Sequence, residues 1–189
     1  MNLPRNFDPH RLDMAAFAQA EGRLDGEWPL QRMPRLLQDA LALSAESPAQ
    51  TVAWSAIGVA KAVTGGEAET HLQLHASTVM QLTCQRCLQP MTVPLEVQPR
   101  LRFVQGETQA EALDEHSDED VLALTPALDL LALIEDELIL ALPLVPCHEV
   151  CPQPLPMSAG EDELSTAEGA EHAFAGLASL LRDGGGKLN

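Results

Sequence analysis

The stretch HLQLHASTVMQLTCQRCLQPMTVPLEVQPRLRF, residues 71–103, contains the strongest secondary-structure signal in the chain. Apolar and polar residues alternate on both sides of the CQRC sequence at 84–87, and a period of two is typical of β-strands with one buried face. Pro94 falls among the polar positions and Pro99 among the apolar ones, and because neither has a backbone N–H, the second half predicts an edge strand or a bulge. The stretch therefore predicts antiparallel strands around a CxxC turn.

Upstream, the pattern predicts two helices and one more strand. Asp8 is followed by proline, as at many helix starts, and helical spacing of apolar residues predicts a short helix over 9–20. Residues 22–29 contain glycines and a proline and are predicted to form a loop. A second helix is predicted over 33–43, and alternation at 51–56 predicts a further strand.

Downstream, we predict an acidic loop followed by a helix that covers the sheet. Residues 105–120 contain seven Asp or Glu and no Lys or Arg, and such a run favours a mobile loop because its charges repel one another. Helical spacing continues over 128–142, where Asp129 is the predicted N-cap and Glu135 is predicted to be exposed with its acidic neighbours. We expect the apolar stripe of this helix to pack on the sheet. The predicted fold class is α+β, an antiparallel β-sheet covered by a few helices, with acidic flexible segments.

The end of the chain is predicted to lie outside the main domain. Residues 1–151 are expected to form a single α+β domain, 152–172 an acidic linker and 173–182 a short amphipathic helix. This last helix is a candidate for docking on a partner, or alternatively it packs back onto the protein's own sheet. The apolar stripe that would make the contact consists of Phe174, Leu177 and Leu180.

Charge divides the chain into two parts of different character. The 189 residues include 28 Asp or Glu and 11 Lys or Arg, which gives a net charge of −17. Residues 1–104 hold 9 basic and 10 acidic side chains, whereas residues 105–189 hold 2 and 18. This balance excludes a polycation that coats duplex nucleic acid. We see no secretory signal and no apolar stretch long enough to span a membrane, so we expect a cytoplasmic protein without a membrane partner.

The four cysteines fall in two close pairs, and this pairing suggests a metal site. Zinc takes four thiolate or imidazole ligands, and a tight CxxC turn presents two of them to one ion. His148, inside the second pair, is an alternative ligand. Ordinary thiols that only pack within a turn are the other interpretation, under which the protein requires no cofactor. The candidate zinc ligands are Cys84, Cys87, Cys147 and Cys151.

The sequence contains no recognisable catalytic motif. A redox CxxC is expected at the start of a helix in a βαβ unit, whereas this one lies between two predicted strands. A Gly-rich phosphate loop, a GxSxG turn and an HExxH pair are all absent. We therefore expect a protein that is not an enzyme and has no small-molecule substrate.

Three blocks of sequence together resemble the YceD family, the large ribosomal RNA subunit accumulation proteins. They are LTCQRCLQP at 82–90, DLLALIEDELILALP at 129–143 and FAGLASL at 174–180. The resemblance implies a cytoplasmic, non-enzymatic role in the synthesis, processing or stability of 23S rRNA, and thus in biogenesis of the large ribosomal subunit. The CxxC of the family carries over onto Cys84 and Cys87.

Two routes to that role agree with the charge map. The first is direct contact with large-subunit rRNA through a local basic strip of Arg86, Arg100 and Arg102. A merely solvated sheet face is the alternative interpretation of these arginines, because no aromatic stacking residues accompany them. The second route is a protein-interaction adaptor, whose acidic surface holds a basic ribosomal protein or an RNA-processing enzyme without contacting RNA.

Overall fold

The fold is organised around one long strand, β3, from which the sheet extends on both sides. The computed structural model describes residues 7–41 and 50–152. The strands lie in the order β1-β2-β3-β5-β6, and β4 also pairs with β3. Only β5 and β6 run parallel to each other among these described pairs, so the predicted α+β class with an antiparallel sheet is confirmed. The strands are β1 (Arg23–Pro29), β2 (Thr51–Lys61), β3 (Glu69–Thr83), β4 (Pro90–Val97), β5 (Arg100–Val104) and β6 (Asp120–Ala123).

Strands β4 and β5 lie end to end along one edge of β3. β4 pairs with residues 76–83 of β3, and β5 pairs with residues 70–73. The alternating run predicted to end at Phe103 is therefore two strands, and Pro99 lies in the break between them, where its carbonyl accepts a hydrogen bond from Leu74 N–H at 3.2 Å. β4 pairs only with β3 in the described part of the chain, which confirms the edge position that its prolines predicted.

One face of the sheet is covered by two helices and two single-turn 3₁₀ helices. These elements are α1 (Met14–Gln19), α3 (Leu130–Leu140) and the 3₁₀ helices Leu30–Arg32 and Leu36–Asp39. Every second residue of β3 faces them and is buried, because a period of two places alternate side chains on one side of a strand. The apolar residues that β3 contributes to this core are Leu72, Leu74, Ala76, Met80 and Leu82.

At Gly58 of β2, helix α1 approaches the sheet as closely as two backbones can. A Cβ added to Gly58 would lie 2.8 Å from the carbonyl oxygen of Phe17 and 2.9 Å from Cα of Ala18. Real Cβ atoms do not come this close to backbone atoms, so glycine at this position sets the depth at which α1 packs.

The acidic segment 105–120 forms a helix and the start of a strand, and the prediction of a mobile loop is wrong for it. Helix α2 (Glu107–Asp114) packs on the other face of the sheet, where Ala110 meets Val104 and Val121. The Asp114 carboxylate also accepts a hydrogen bond from Val121 N–H at 2.9 Å. Besides its charges, the segment contains a few apolar residues at helical spacing. A local hydrogen bond and packing on β5 and β6 order it.

The predicted N-terminal elements also differ from those observed. Helix α1 begins at Met14, not near residue 9, because the Asp13 side chain caps it by accepting from Ala16 N–H at 3.0 Å. Asp8 instead closes a turn, since its side chain accepts a hydrogen bond from His10 N–H. Of the helix predicted over 33–43, the described residues contain only the 3₁₀ turn Leu36–Asp39, and residues 42–49 lie outside them.

The predicted loop over 22–29 is strand β1. Trp28 stacks on Trp54 of the neighbouring strand with ring centroids 4.3 Å apart. Gly26 faces Trp54 across the strand pair, and a Cβ there would lie 3.2 Å from the indole ring. This glycine makes room for a large side chain. An interpretation of glycine as a sign of a turn overlooks this reason for glycine within a strand.

Helix α3 begins where the sequence predicted, but one of its acidic residues is buried. The Asp129 side chain accepts from Leu131 N–H at 3.0 Å, which confirms it as the N-cap. Glu135 is only 5% exposed, so the prediction that it faces solvent is wrong. Its carboxylate accepts from the backbone N–H groups of Arg35 at 2.7 Å and Leu36 at 3.2 Å, and it also pairs with the Arg35 guanidinium at 2.9 Å. Glu135 thus joins α3 to the 3₁₀ helix Leu36–Asp39.

The compact unit that contains the sheet ends at Cys151. The predicted linker over 152–172 lies outside the described residues except for its first position, and the predicted helix over 173–182 lies outside them entirely. Of the helices in the described part of the chain, none combines the length and apolar character needed to cross a membrane.

Candidate metal centre

The first cysteine pair lies in a tight turn that joins β3 to β4. Cys84 N–H donates to the carbonyl of Gln89 at 3.0 Å, and Leu88 N–H donates to the carbonyl of Cys84 at 2.9 Å. Leu88 has a φ of 58°, in the left-handed region that glycine favours. These bonds close the turn into a narrow loop that holds Cys84 and Cys87 at one end of the sheet.

The second pair reaches the same place because the chain leaving α3 crosses this turn. Gln85 N–H donates to the carbonyl of Pro146 at 2.8 Å, which fixes the two segments to each other. Two residues further on, His148 N–H donates to Cys84 Sγ at 3.4 Å. Residues more than 60 positions apart in the chain are therefore side by side, and both segments supply potential ligand atoms.

Four side chains converge there, and they are Cys84, Cys87, His148 and Cys151. One ligand atom from each lies within 4.8 Å of all the others, so the cluster could hold a metal ion such as zinc. Around a tetrahedral zinc ion, bond lengths of about 2.3 Å to sulfur and 2.0 Å to nitrogen place the two atoms roughly 3.5 Å apart. Cys87 Sγ and His148 Nδ1 are 3.4 Å apart, which fits that geometry.

The structure brings together three of the four cysteines predicted as ligands and replaces the fourth by histidine. Cys147 is not part of the converging group among the described residues, and its neighbour His148 supplies the fourth ligand atom. From the sequence alone, His148 is only an alternative metal ligand. The choice between it and the adjacent Cys147 depends on the path of the backbone across the CxxC turn.

The cluster's own chemistry favours a cation. Burial by itself raises the pKa of Cys84, but backbone hydrogen bonds, first from Cys87 and then from His148, outweigh it and lower the pKa to about 5. Burial first, and then the neighbouring thiols, raise the pKa of Cys151. The fold thus favours the thiolate form of Cys84. Ionising a second thiol costs free energy, because the two negative charges would repel each other. A bound cation removes that cost, since it neutralises the thiolates it coordinates.

The three arginines predicted to form an RNA-binding strip do not lie together. Arg100 and Arg102 are on β5, opposite Gln73 and His71 of β3. Arg86 is exposed in the CxxC turn, beyond the other end of β3. The eleven residues from Gln73 to Thr83 span roughly 33 Å, at about 3.3 Å for each of the ten steps between them. Arg102 is paired with Glu69 through a contact of 2.7 Å. Arg86 is therefore remote from the other two, and only Arg100 of the β5 pair is both exposed and free of an ion pair within the described chain.

The remaining predicted site residues, Phe174, Leu177 and Leu180, lie outside the described residues, and their role in docking stays a prediction. Sequence reasoning missed the pairing of Arg35 with Glu135. A signal for it was present, because Glu135 comes four residues after Leu131 and three before Leu138, which places it on the apolar stripe of the helix. A carboxylate on such a stripe predicts a buried partner.

Comparison with known proteins agrees with the sequence blocks. No solved structure gives a significant match to the chain. Residues 72–181 match the family described as large ribosomal RNA subunit accumulation protein YceD, a description that names rRNA accumulation and not a catalysed reaction. The match begins in β3 and includes the CxxC turn, α3 and the second cysteine pair. Because it takes in more than half of the sequence, the chain belongs to the YceD family of large ribosomal RNA subunit accumulation proteins.

Proposed function

We propose that this chain is a non-enzymatic, cytoplasmic factor that supports the accumulation of 23S rRNA and thereby the biogenesis of the large ribosomal subunit. The observation that carries the proposal is the family match over residues 72–181, which includes most of the central strand and the candidate metal centre. The function is tested in a strain that lacks the gene, by measuring mature 23S rRNA relative to 16S rRNA. We expect a lowered ratio that the wild-type gene restores; an unchanged ratio would contradict the proposal.

We further propose that the protein binds one zinc ion through Cys84, Cys87, His148 and Cys151. Support comes from the convergence of these four side chains and from the soft sulfur and nitrogen donors, which suit zinc. When bound, zinc would fasten the segment after α3 to the CxxC turn. It would thereby stabilise the fold, because the two segments are far apart in the chain.

A pair of cysteine variants tests the zinc proposal. Cys151→Ser removes a thiol of the cluster, whereas Cys147→Ser removes a thiol four residues away that lies outside it. Elemental analysis of protein purified without chelators should find about one zinc per chain in the wild type and in Cys147→Ser, and much less in Cys151→Ser. Equal zinc in both variants, or loss from Cys147→Ser alone, would overturn the ligand set.

For the mode of action, we propose a protein-interaction adaptor in preference to direct RNA contact. The placement of α2 supports this choice: it lies on the same face of the sheet as Arg102, and Glu107, Glu111 and Glu115 are exposed. Phosphate groups that approach Arg100 would meet this negative helix on the same face. A basic ribosomal protein or processing enzyme would be attracted to it.

Two charge variants with equal net charge distinguish the two modes of action. The first replaces Glu107, Glu111 and Glu115 by Gln. The control replaces three exposed acidic residues on or next to β1, away from α2: Glu21 and Glu27 by Gln, and Asp25 by Asn. Each protein is titrated with salt against naked 23S rRNA and against purified basic ribosomal proteins. We expect weaker binding to a basic protein for the α2 variant alone.

The direct-contact hypothesis makes the opposite prediction for the same assay. If the wild type binds naked rRNA with a salt dependence that falls when Arg86, Arg100 and Arg102 are changed to Gln, the protein contacts phosphate directly. Equal behaviour of the two charge variants towards basic proteins would also contradict the adaptor. Neither result alters the test of rRNA accumulation itself.

A further inference from the structure

The sulfur atoms of the candidate metal centre differ in their access to solvent. Cys84 is 0% exposed, whereas Cys87 and Cys151 are partly exposed. Zinc keeps its cysteine ligands in the thiolate form, and a dissolved oxidant attacks a thiolate that it can reach in preference to a buried one. In the zinc-bound protein, the sulfurs open to an oxidant are therefore those of Cys87 and Cys151.

These two sulfurs are also close enough to bond to each other after a small movement. Cys87 Sγ and Cys151 Sγ lie within 4.8 Å of each other, and a disulfide bond is about 2 Å long. Cys151 is the last residue of the compact unit, and residues 143–152 form neither helix nor strand. Because no helical or ladder hydrogen bonds fix the backbone of Cys151, its side chain can turn towards Cys87.

Cys84, by contrast, is held by the fold. Its Sγ accepts a hydrogen bond from His148 N–H at 3.4 Å, and its own N–H donates to the carbonyl of Gln89 at 3.0 Å. A disulfide between Cys84 and Cys87 would pull Cys84 Sγ away from His148 N–H, at a position that solvent does not reach. The structure therefore favours Cys87 and Cys151 as the pair that oxidises.

Loss of these two sulfurs as ligands removes the basis for zinc binding. A structural zinc site takes four protein ligands, and a sulfur in a disulfide is no longer a thiolate. Of the converging group, only Cys84 and His148 would remain. Two ligands hold zinc far more weakly than four, because water then takes the other two positions. Oxidation of Cys87 and Cys151 is therefore expected to release the ion.

We propose that Cys87 and Cys151 are an oxidation-sensitive pair, which a peroxide converts into a disulfide with release of the zinc ion. This regulation rests on the proposed zinc site. It gives the centre two states, a reduced one with zinc and an oxidised one without it. Disulfides in cytoplasmic proteins are usually transient, and a dithiol reductant returns this pair to thiols that bind zinc again.

The reaction is a two-electron oxidation in two displacement steps. The sulfur of one cysteine attacks a peroxide oxygen, so that an S–O bond forms, the O–O bond breaks and the leaving hydroxide takes up a proton to become water. The second sulfur then attacks this sulfenic acid, so that the S–S bond forms, the S–O bond breaks and a second water leaves. In total, two thiolates, one hydrogen peroxide and two protons give one disulfide and two waters.

The disulfide would join the same two segments that the zinc ion joins. Cys87 lies in the CxxC turn, and Cys151 lies more than 60 residues later, in the segment that follows α3. Either link closes this long loop and so restricts the unfolded chain. Oxidation therefore exchanges a metal link for a covalent one, and the sheet is expected to stay folded while the zinc is lost.

The test treats the zinc-loaded full chain with hydrogen peroxide. Released zinc is measured with a chromogenic chelator, and the remaining thiols are counted with a thiol reagent. The disulfide is mapped by mass spectrometry of peptides. Trypsin cleaves after Arg86 and a glutamate-specific protease cleaves after Glu149, so the four cysteines fall on four different peptides.

Two variants accompany the wild type in this test. Cys147→Ser is the matched control, because Cys147 lies outside the converging group. Cys151→His keeps a zinc ligand at this position, since imidazole binds zinc, but it cannot form the disulfide. We expect Cys147→Ser to behave as the wild type does, and Cys151→His to keep most of its zinc under the same treatment.

For the wild type, we expect the loss of about one zinc and two thiols per chain, with Cys87 linked to Cys151, and recovery of both with dithiothreitol and added zinc. A disulfide that includes Cys84 or Cys147 would overturn the proposal. So would zinc release without a disulfide, or equal zinc loss from Cys151→His. Absence of zinc from the untreated wild type would instead contradict the zinc site itself. None of these measurements involves rRNA, so their outcome is distinguishable from that of the accumulation test.

Discussion

The two faces of the sheet have opposite characters although they are built from the same strands. In β3, Leu72, Leu74 and Met80 face the covering helices and are buried. On the opposite face, Gln73 and Val79 are exposed, and of the elements in the described part of the chain only α2 packs there, at the β5 and β6 end. One face therefore holds the fold together, whereas much of the other is available to solvent and partners.

Two basic side chains of the bare face are paired with acidic neighbours. Arg102 is paired with Glu69, and His75 contacts Glu96 at 3.1 Å. Hydrogen bonds from His75 and then from Gln98 lower the pKa of Glu96, as expected for a carboxylate that is held by partners. Such pairing weakens the attraction of these two side chains for phosphate. Exposure of a sheet face by itself therefore does not predict nucleic-acid binding.

The largest expected effect comes from Gly58→Ala on the covered face. The new methyl group collides with the backbone of α1, so either the helix or the strand must shift. We expect a loss of about 3 kcal/mol in the free energy of unfolding, measured by urea denaturation. Gly66→Ala is the matched control, because a Cβ there meets nothing closer than 3.9 Å. Similar stabilities for the two variants would show that α1 is not packed as described.

A smaller loss is expected for Glu135→Gln, which tests the bond between α3 and the 3₁₀ helix Leu36–Asp39. The amide keeps the volume, and its oxygen can still accept from the backbone N–H groups of Arg35 and Leu36, but its NH₂ group then faces the Arg35 guanidinium, donor against donor. We expect a cost of about 2 kcal/mol in the free energy of unfolding. Asp136→Asn, which touches the same arginine from an exposed position, should cost much less. Equal costs would contradict the special role of the buried carboxylate.

On the bare face, Arg102→Gln should cost about 1 kcal/mol or less, because its ion pair with Glu69 is partly solvated. Arg100→Gln on the same strand removes an exposed cation and serves as the control. Both are measured in the same urea titration as the covered-face variants. If Arg102→Gln lowered the free energy of unfolding as much as Glu135→Gln, the distinction between the two faces would be contradicted.

The smallest expected effect is a gain in the free energy of unfolding, and it depends on pH. Burial, and then the charges of Asp120 and Asp136, raise the pKa of Glu137 on α3. The folded state therefore holds a proton more tightly than the unfolded state, and this contribution to stability is lost as pH rises through the raised pKa. Glu137→Gln should be more stable than wild type at neutral pH, by less than about 1 kcal/mol because the group is partly exposed. The difference should vanish below about pH 4, where both side chains are neutral. A difference that persists in acid would assign the effect to packing.

Features with a local period were predictable from the sequence. The alternation through β3 and the cap of α3 at Asp129 each depend on residues within a few positions, and both are present in the structure. The CxxC turn is predictable for the same reason, since it lies between two alternating runs. The cysteine pairs indicated a metal site because few other roles require four thiols in two close pairs.

Features that depend on a distant partner were not predictable. Gly26 suggested a loop, but it makes room for Trp54 on the next strand. The charges of 105–120 suggested disorder, but α2 finds an apolar surface on β5 and β6. In each case the deciding contact is made by a residue far away in sequence or by a face that exists only after the sheet has formed.

By itself, the sequence determined the class of the fold, the family and the cysteine pairs, because composition, period and motif are properties of neighbouring residues. Tertiary structure alone decided that His148 takes the place expected for Cys147, and that Arg86 lies far from Arg100. The physical reason is the same for both. Which side chains meet depends on how strands pair and where one backbone segment crosses another. A difference of one residue in that path exchanges one candidate ligand for its neighbour.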